Sequence, residues 1–201
     1  MARPSNTAER RAQIIDGLAT VMAEVGYERA TIVSIARAAG LAPGLVHYHF
    51  GAKREILLAL VERVVAVARG RYQRRLGAAG ADPWARLDAA IDALVALDDD
   101  ADLRAAACWI QIGAEAPRMA EVAGPYREAV GAQHRTLTEH VAEIRRAQDR
   151  SEADASRVAA GIMAAVEGAF RLAASAPEVV PWGHTAVLVR QMARGLLEGA
   201  R

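Results

Sequence analysis

Cysteine, aromatic residues and long apolar runs are all scarce in this chain of 201 residues. Cys108 is the only cysteine, so no internal disulfide can form, and its apolar surroundings at 105–112 favour a small buried side chain over a redox switch. Charged residues interrupt every apolar stretch, which predicts no transmembrane helix. Because the first residues lack the apolar segment of a signal peptide, we predict a cytoplasmic protein without membrane contact.

Catalytic and metal-binding motifs are also lacking. The chain has no Ser–His–Asp elbow, no Gly-rich phosphate loop and no paired-carboxylate motif. On a helix, His47 and His49 point about 200° apart and His134 and His140 about 120° apart, so neither pair can hold one ion. The acidic run at 98–102 lacks the ligand pattern of a calcium loop, which predicts a solvated loop before a helix. We predict no enzyme activity, cofactor or metal.

Charge is nearly balanced over the whole chain but unevenly distributed. The net charge is +1, whereas residues 1–54 carry seven basic and four acidic groups, a net +3 that leaves −2 for the remainder. A basic end on a near-neutral protein fits phosphate binding by that end. Residues 1–7 are predicted to form a mobile arm, and Arg3, Arg10 and Arg11 either reach phosphates or stay solvated.

The stretch from Thr31 to Lys53 predicts two short helices joined by a tight turn and the start of a third. Thr31 can cap the first helix, whose apolar residues recur at helical spacing. Gly40 suits the end of that helix, and Pro43 suits the first turn of the next. This pattern is typical of a helix-turn-helix, whose second helix enters the major groove of DNA, although an ordinary helical corner gives it too.

The exact residues at 40–53, GLAPGLVHYHFGAK, resemble the DNA-binding domain of TetR-type transcriptional repressors, whose pattern is roughly G-V-[ST]-x-G-x-[LI]-Y-x-[HY]-F-x-x-K. Ala42 stands where the family usually has a Ser or Thr cap, and His47 stands where it often has a Tyr. The resemblance implies a set of DNA-contacting residues on and around the two helices: Thr31, Val33, Arg37, Pro43, Gly44, Leu45, His47, Tyr48, His49 and Lys53.

The chemistry of these side chains indicates their roles. Gly44 lets the helix backbone approach DNA closely, and Leu45 and Pro43 can touch a thymine methyl group. Phosphate donors set register rather than sequence, and the candidates are His47, Tyr48 and Lys53. For Tyr48 and His49 the alternative is a packing role.

The rest of the chain is predicted to be helical, which makes the fold all-α. A first helix from Ala8 to Gly26 supports the motif. A long helix from Lys53 to about Leu76 links a DNA-binding domain at 1–54 to a second domain at 55–201. Further helices are predicted at 84–97, 103–116, about 126–147, 151–174 and 183–199, with breaks at Pro117 and at Gly124-Pro125.

The last two helices are candidates for a dimer interface. The helix at 151–174 has a strip of small residues that allows close helix approach, within one chain or between two: Gly161, Ala164, Ala165 and Gly168. TetR-type proteins usually pair their last two helices into a four-helix bundle, so the resemblance implies a homodimer. A symmetric dimer also suits two half-sites one helical turn apart.

A narrower resemblance, at 108–119, 126–137 and 161–172, is to the BetI-like branch of the family, whose named member responds to choline. It implies a small-molecule effector of unknown identity held between helices of the second domain. An aromatic residue with a carboxylate would suit a cationic ligand, although each candidate could equally be plain core or solvated. The candidates are Trp109, Gln111, Glu115, Met119, Tyr126, Met163, Glu167 and Phe170.

These features predict a homodimeric DNA-binding regulator, a repressor of a palindromic operator that a small-molecule effector releases. Release requires the effector to bind two conformations unequally. Two alternatives stay open: a helical enzyme in which the motif is a mere corner, and an adaptor dimer that has lost its ligand. A deep pocket with perturbed titratable groups would favour the enzyme, and a filled second-domain core would favour the adaptor.

Overall fold

The computed structural model describes residues 6–96 and 100–199, and every regular element in these ranges is helical. This confirms the predicted all-α fold. Nine α-helices occur in the described ranges, with a 3-10 turn at Trp182–His184 before the last: α1 Asn6–Arg29, α2 Ile32–Ala38, α3 Pro43–His49, α4 Lys53–Ala79, α5 Pro83–Val95, α6 Asp100–Glu115, α7 Ala120–Ala147, α8 Ala155–Ser175 and α9 Thr185–Glu198.

The helices belong to two compact units. The first contains α1, α2, α3, α4 as far as Val65, α6, and α7 as far as Tyr126. The second contains the remainder of α4 and α7 together with α5, α8 and α9. The sequence-based boundary after residue 54 stays a prediction.

One continuous core holds the first unit together. Burying an aliphatic side chain in such a core contributes about 1.5–3 kcal/mol, so these contacts dominate the stability of the short helices. α1, α2, α3, α4 and α6 all contribute fully or almost fully buried side chains: Ile14, Leu18, Met22, Ile35, Val46, Phe50, Ile56, Leu57, Cys108 and Ile112.

Local sequence explains how the elements of the motif begin and end. Gly26 has φ 78° and interrupts α1 where a stop was predicted, although the helix resumes as far as Arg29. Thr31 caps α2 as predicted: the Ser34 N–H donates to Thr31 Oγ1 at 3.1 Å and the Thr31 N–H donates to Ser34 Oγ at 2.9 Å. Gly40, with φ 67°, occupies the left-handed region in the turn before α3.

In the second unit, α8 and α9 each bury one stripe of side chains at helical spacing. The two stripes are Val158, Ile162, Val166 and Phe170 on α8, and Val189, Ala193 and Leu197 on α9. Two ion pairs join α9 to α5, with Arg190 and Arg194 each 2.6 Å from the carboxylates of Asp92 and Asp88. α8 alone among the described helices is long and apolar enough to span a membrane, a property shared by core helices of soluble proteins.

Several details differ from the sequence-based expectation. α7 begins at Ala120 and continues through Pro125, which was expected to break it. A proline in the second turn of a helix removes a single backbone hydrogen bond, and α7, with 28 residues in all, tolerates that loss. On α4, the helical spacing of Leu60, Val64 and Val67 predicts that all three face the core, but Val67 is 44% exposed. Residues 1–5, with Arg3 of the predicted arm, and residues 98 and 99 of the acidic run lie outside the described residues.

Candidate nucleic-acid interface

The two helices of the motif bury one side each and present the other to solvent. On α2, Ile35 is buried while Val33 is 64% exposed and Arg37 is also exposed. On α3, Val46 is fully buried and Tyr48 is 80% exposed. A hydrophobic ring that is so exposed is available for a partner.

The remaining predicted DNA contacts sit around this surface. Within α3, Leu45 and His49 are half-buried. The aromatic rings of Tyr48 and His49 meet edge to face at 5.0 Å between centroids, which links the exposed ring to the half-buried one. The exposed members of the predicted set, besides those described above, are Thr31, Pro43, Gly44 and His47.

The C-terminal end of α3 is held by a side chain from α1. Arg11 Nη1 donates to the carbonyl oxygen of His49 at 2.6 Å, and the Arg11 guanidinium lies 3.9 Å from the centroid of the Phe50 ring. Phe50 is buried, and its N–H donates to the Val46 carbonyl at 2.9 Å. Arg11, considered from sequence as a phosphate contact or a solvated residue, therefore fixes the end of the exposed helix.

Lys53 has a different environment from the one expected of a phosphate donor. Its ammonium donates to the carbonyl oxygens of Tyr27 and Ala30, each at 2.9 Å, and of Glu28 at 3.4 Å. It also lies 4.2 Å from the centroid of the Tyr27 ring. Burial lowers the pKa of Lys53, and the charges of Glu115 and Glu28 raise it in part. These carbonyls lie in the last turn of α1 and just after it, so Lys53 positions the connection from α1 to α2 in this conformation.

The five effector candidates of the first unit lie on α6, at the start of α7 and between them. The rings of Trp109 and Tyr126 are 4.9 Å apart, and a Cβ at Gly113 would stand 3.1 Å from the Tyr126 hydroxyl oxygen. Glu115 is buried, and its charge helps to raise the pKa of Tyr27 after the larger effect of burial. The other two candidates, Gln111 and Met119, are half-buried.

The three other effector candidates belong to α8 in the second unit. Phe170 is buried in the stripe of core residues on that helix, whereas Met163 and Glu167 are half-buried. Phe170 thus occupies a core position, which was the plain alternative to ligand binding. The role of all eight candidates as effector contacts stays a prediction.

The Cys108 thiol and the potential metal-binding side chains show no arrangement suited to reactivity among the described residues. Burial raises the pKa of the Cys108 thiol to about 11, and its Sγ lies 3.7 Å from the Ala19 carbonyl oxygen. A buried thiol with a raised pKa stays neutral and unreactive at physiological pH. Among the described side chains, no three His, Cys, Asp or Glu residues are placed to hold a metal ion.

Family comparisons match both halves of the chain. Residues 14–60 match the model of the bacterial regulatory proteins of the tetR family. This range contains α2 and α3, most of α1 and the start of α4. Residues 83–198 match the model of the C-terminal domain of BetI-type transcriptional repressors. The sequence-based resemblance is therefore confirmed for the family and for its BetI-like branch.

Individual relatives agree with these models. The HTH-type transcriptional regulator BetI of Rhizobium meliloti is 30% identical over 161 residues, which cover 80% of this chain and 76% of that protein. A transcriptional regulator from Saccharomonospora viridis, solved in complex with choline, has a TM-score of 0.80 at 22% identity and covers 96% of this chain and 97% of its own. Bacillus subtilis FadR, solved with stearoyl-CoA, has a TM-score of 0.74 at 20% identity and covers 94% of this chain and 99% of its own.

The two solved structures support the fold, and the sequence relatives support the class of protein. The matched relatives are transcriptional regulators, which bind DNA through this motif and are not enzymes. This chain belongs to the TetR family of bacterial regulatory proteins, with a C-terminal domain of the BetI type, and is a DNA-binding transcriptional regulator.

Proposed function

We propose that this regulator is a homodimeric cytoplasmic repressor that binds a palindromic operator and leaves it when a small molecule binds. Residues 1–54 form its DNA-binding domain, and residues 55–201 carry the effector site and the dimer interface. The observation that carries the proposal is an apolar stripe on the outward face of α9. We call this stripe, formed by Leu188, Met192 and Leu196, the α9 stripe.

The α9 stripe has the spacing and exposure of a helix–helix interface. Its members are four residues apart, so they align along one face of the helix. They are 42%, 55% and 44% exposed, although they are large and apolar. On α8, a Cβ at the exposed Gly161 would stand 3.4 Å from Leu196, so small and large residues adjoin there. Two such surfaces can pack closely against each other.

A second copy of the chain is the partner that best fits this surface. A twofold axis brings the same patch of two subunits together, which buries the α9 stripe of both. The same axis gives the dimer two copies of α3. Two recognition helices roughly 34 Å apart would contact half-sites that repeat as a palindrome.

The dimer is tested by placing a charge in the stripe. We expect Met192→Glu to give a monomer in sedimentation velocity and to weaken operator binding at least tenfold, because each monomer holds only one half-site. Val67→Glu is the matched control, since Val67 is an apolar residue of similar exposure on α4. A Met192→Glu protein that stays dimeric would refute this interface.

Operator binding is tested with the DNA immediately upstream of the protein's own gene, at two salt concentrations. Tight binding that weakens with salt is expected, because phosphate contacts release counterions. Tyr48→Ala should weaken it at least tenfold, whereas Val179→Ala, at a 70% exposed site of the second unit, should not. If neither this DNA nor a selection from random sequences yields a preferred site, the repressor proposal fails.

The effector we propose is a small organic cation, bound beside α6. The support is the tilted ring pair of Trp109 and Tyr126, 4.9 Å apart, and the buried carboxylate of Glu115 six residues after Trp109 on α6, because aromatic rings and a carboxylate both attract a cation. The BetI-type match and the choline complex of the Saccharomonospora viridis regulator support the same class. Met163, Glu167 and Phe170 remain additional candidates.

α6 also offers a route from the effector to the motif within the first unit. Arg118, three residues after α6, lies 3.8 Å from the carboxylate of Glu28 in α1, and Cys108 contacts the backbone of α1 at Ala19. A ligand that moves α6 would therefore act on α1, which supports α2 and α3. The ligand must bind the released conformation more tightly for this movement to occur.

Release is measured by fluorescence anisotropy of a labelled operator during titration with choline, and separately with stearoyl-CoA. We expect choline to release the DNA and Glu115→Gln to raise the required concentration at least tenfold. Glu121→Gln, an exposed carboxylate at the start of α7, is the matched control. Release by stearoyl-CoA alone, or by choline with no effect of Glu115→Gln, would contradict a cation held by this carboxylate.

A further inference from the structure

The outward face of α3 is set by the position of its one buried residue. Successive residues of an α-helix are rotated by about 100°, so Gly44 and Tyr48 lie opposite the buried Val46. These two residues are four apart and therefore adjacent on that face. Pro43 and His47, also exposed, adjoin them on one side. The centre of the face that α3 offers to DNA is thus a glycine next to a tyrosine ring.

This face lacks the side chains that recognise bases by paired hydrogen bonds. Arg and Lys can contact guanine through two acceptors, and Asn and Gln can contact adenine in the same way. The sequence of α3, PGLVHYH, contains none of these four residue types, and the structure describes all seven residues. Its imidazoles and its phenol can each donate only single hydrogen bonds at a given position.

The cationic side chains next to α3 do not supply the missing contacts. Arg37 lies on α2, the helix that crosses the sugar–phosphate backbone in this motif, and its expected partner is a phosphate. Arg11 donates from Nη1 to the His49 carbonyl and lies over the Phe50 ring, and Lys53 donates to backbone carbonyls of the protein. The seven described residues of α3 therefore offer no bidentate hydrogen bond to a base.

Gly44 is not required by the fold of the protein itself. It has no positive φ, and a Cβ at this position would meet no atom within 4 Å. Glycine in a helix is less stable than alanine by roughly 0.5–1 kcal/mol, so an alanine here should fold at least as well. The missing side chain leaves an open space on the outward face of α3, which we call the gap, and its neighbours on the helix surface are His47 and Tyr48, three and four residues on.

We infer that this regulator recognises its operator through the C5 methyl group of thymine, which enters the gap at Gly44 and packs against the neighbouring Tyr48. Apolar contact with this methyl group takes the place of bidentate contacts to guanine. The inference rests on the proposed operator binding and names the base that the recognition helix selects. 5-Methylcytosine carries the same methyl group. If the operator is selected from synthetic duplexes that contain no 5-methylcytosine, thymine is the only base that can supply this group.

The test uses an operator that is selected from random duplexes and then resynthesised with one chemical group of one base changed at a time. Each thymine is replaced in turn by deoxyuridine, which removes only the methyl group, and each guanine by 7-deazaguanine, which removes the N7 acceptor. We expect at least one deoxyuridine per half-site to weaken binding about fourfold, the equivalent of ~0.8 kcal/mol for one buried carbon. No 7-deazaguanine should weaken it as much.

The gap itself is tested with Gly44→Ala. We expect this variant to bind the selected operator at least tenfold more weakly and to lose its preference for thymine over deoxyuridine at the sensitive position. The matched control is Gly77→Ala, because Gly77 is also an exposed helical glycine with open space around it. The control should retain both the affinity and the preference. Thermal unfolding should show Gly44→Ala to be folded.

Three results would overturn the inference while leaving operator binding intact: no response to any deoxyuridine, a tenfold loss with a 7-deazaguanine, or an unchanged thymine preference in Gly44→Ala. A selection that enriches no sequence is a different result. It would overturn the proposed operator binding, and this inference with it.

Discussion

The two helices of the DNA-binding motif have the same length of seven residues but are stabilised in different ways. α2 has a reciprocal capping box at Thr31 and buries Ile35 and Ala36. α3 has no side-chain cap at Ala42 and buries only Val46. A seven-residue helix is unstable in isolation. α3 therefore depends on tertiary contacts near its C-terminal end, which are the burial of Phe50 and the hydrogen bond from Arg11 to the His49 carbonyl.

This difference separates the folding of the motif from its recognition of DNA. α2 is specified largely by its own sequence, because its cap and its apolar spacing agree. α3 is held in place by its buried side and by contacts at its C-terminal end. Its outward face therefore has no role in folding. Residues on that face can therefore change DNA binding without changing stability. The predictions below test this separation, starting with the largest effect.

The largest expected effect is the loss of the single buried side chain of α3. Val46→Ala should lower the free energy of unfolding by about 2–3 kcal/mol, because two buried methyl groups are removed and a cavity remains. The same substitution on the exposed face of α2, Val33→Ala, should cost less than about 0.5 kcal/mol. Urea unfolding followed by circular dichroism, at one fixed protein concentration, measures both. Equal effects would contradict the assigned burial.

The second effect concerns the turn that leads into α2. Lys53→Ala should destabilise the protein by about 2 kcal/mol, because it removes charge-assisted hydrogen bonds to carbonyls that remain in place. Arg54→Ala is the neighbouring control, since the exposed ion pair of Arg54 with Glu121 is worth less than about 1 kcal/mol. The same urea experiment compares them. Wild-type stability of the Lys53→Ala protein would contradict this positioning role and leave phosphate binding as the role of Lys53.

The third effect is local to the cap of α2. Thr31→Ala should cost about 1 kcal/mol, because the Ser34 N–H loses its acceptor. Amide hydrogen exchange at Ser34 should accelerate about fivefold, while the Leu45 amide of α3 should keep its rate. Acceleration of both amides to the same extent would mean that the two helices open together and would weaken the contrast between them.

The smallest effect is a gain. Ala42→Ser supplies the cap that α3 lacks and should stabilise the protein by about 0.5 kcal/mol. Ala38→Ser, at the last residue of α2, is the control and should be neutral or slightly destabilising because serine has the lower helix propensity. The midpoint of thermal unfolding measures both. No gain from Ala42→Ser would show that Pro43 and the tertiary contacts already fix the start of α3.

Much of the fold could be predicted from local sequence. Caps, helix-ending glycines and apolar spacing located α2, α3 and the class of fold, because each depends on residues within a few positions of one another. The same reasoning was wrong at Pro125, where the pattern indicated a break. A proline near a helix start costs one hydrogen bond, and packing of a long helix offsets that cost.

The positioning contacts of the candidate site could not be predicted in this way. Arg11 and His49 are 38 residues apart, and Lys53 is 23 and 26 residues from the carbonyls of Ala30 and Tyr27. Backbone carbonyls carry no sequence signal, so a cationic side chain that will bind one looks like any solvated cation. Family resemblance supplied the DNA-contacting set, and the structure separated its exposed members from Lys53.

The sequence by itself determined the all-α class, the motif and the chemistry of the recognition helix, whose lack of Arg, Lys, Asn and Gln is visible in seven residues. Only the tertiary structure decided which side of each helix is free. It buried Val46 and so exposed Gly44 and Tyr48, and it buried one stripe of α9 while leaving Leu188, Met192 and Leu196 about half exposed. Burial depends on which distant helices meet, and that is settled by packing of the whole chain rather than by any local pattern.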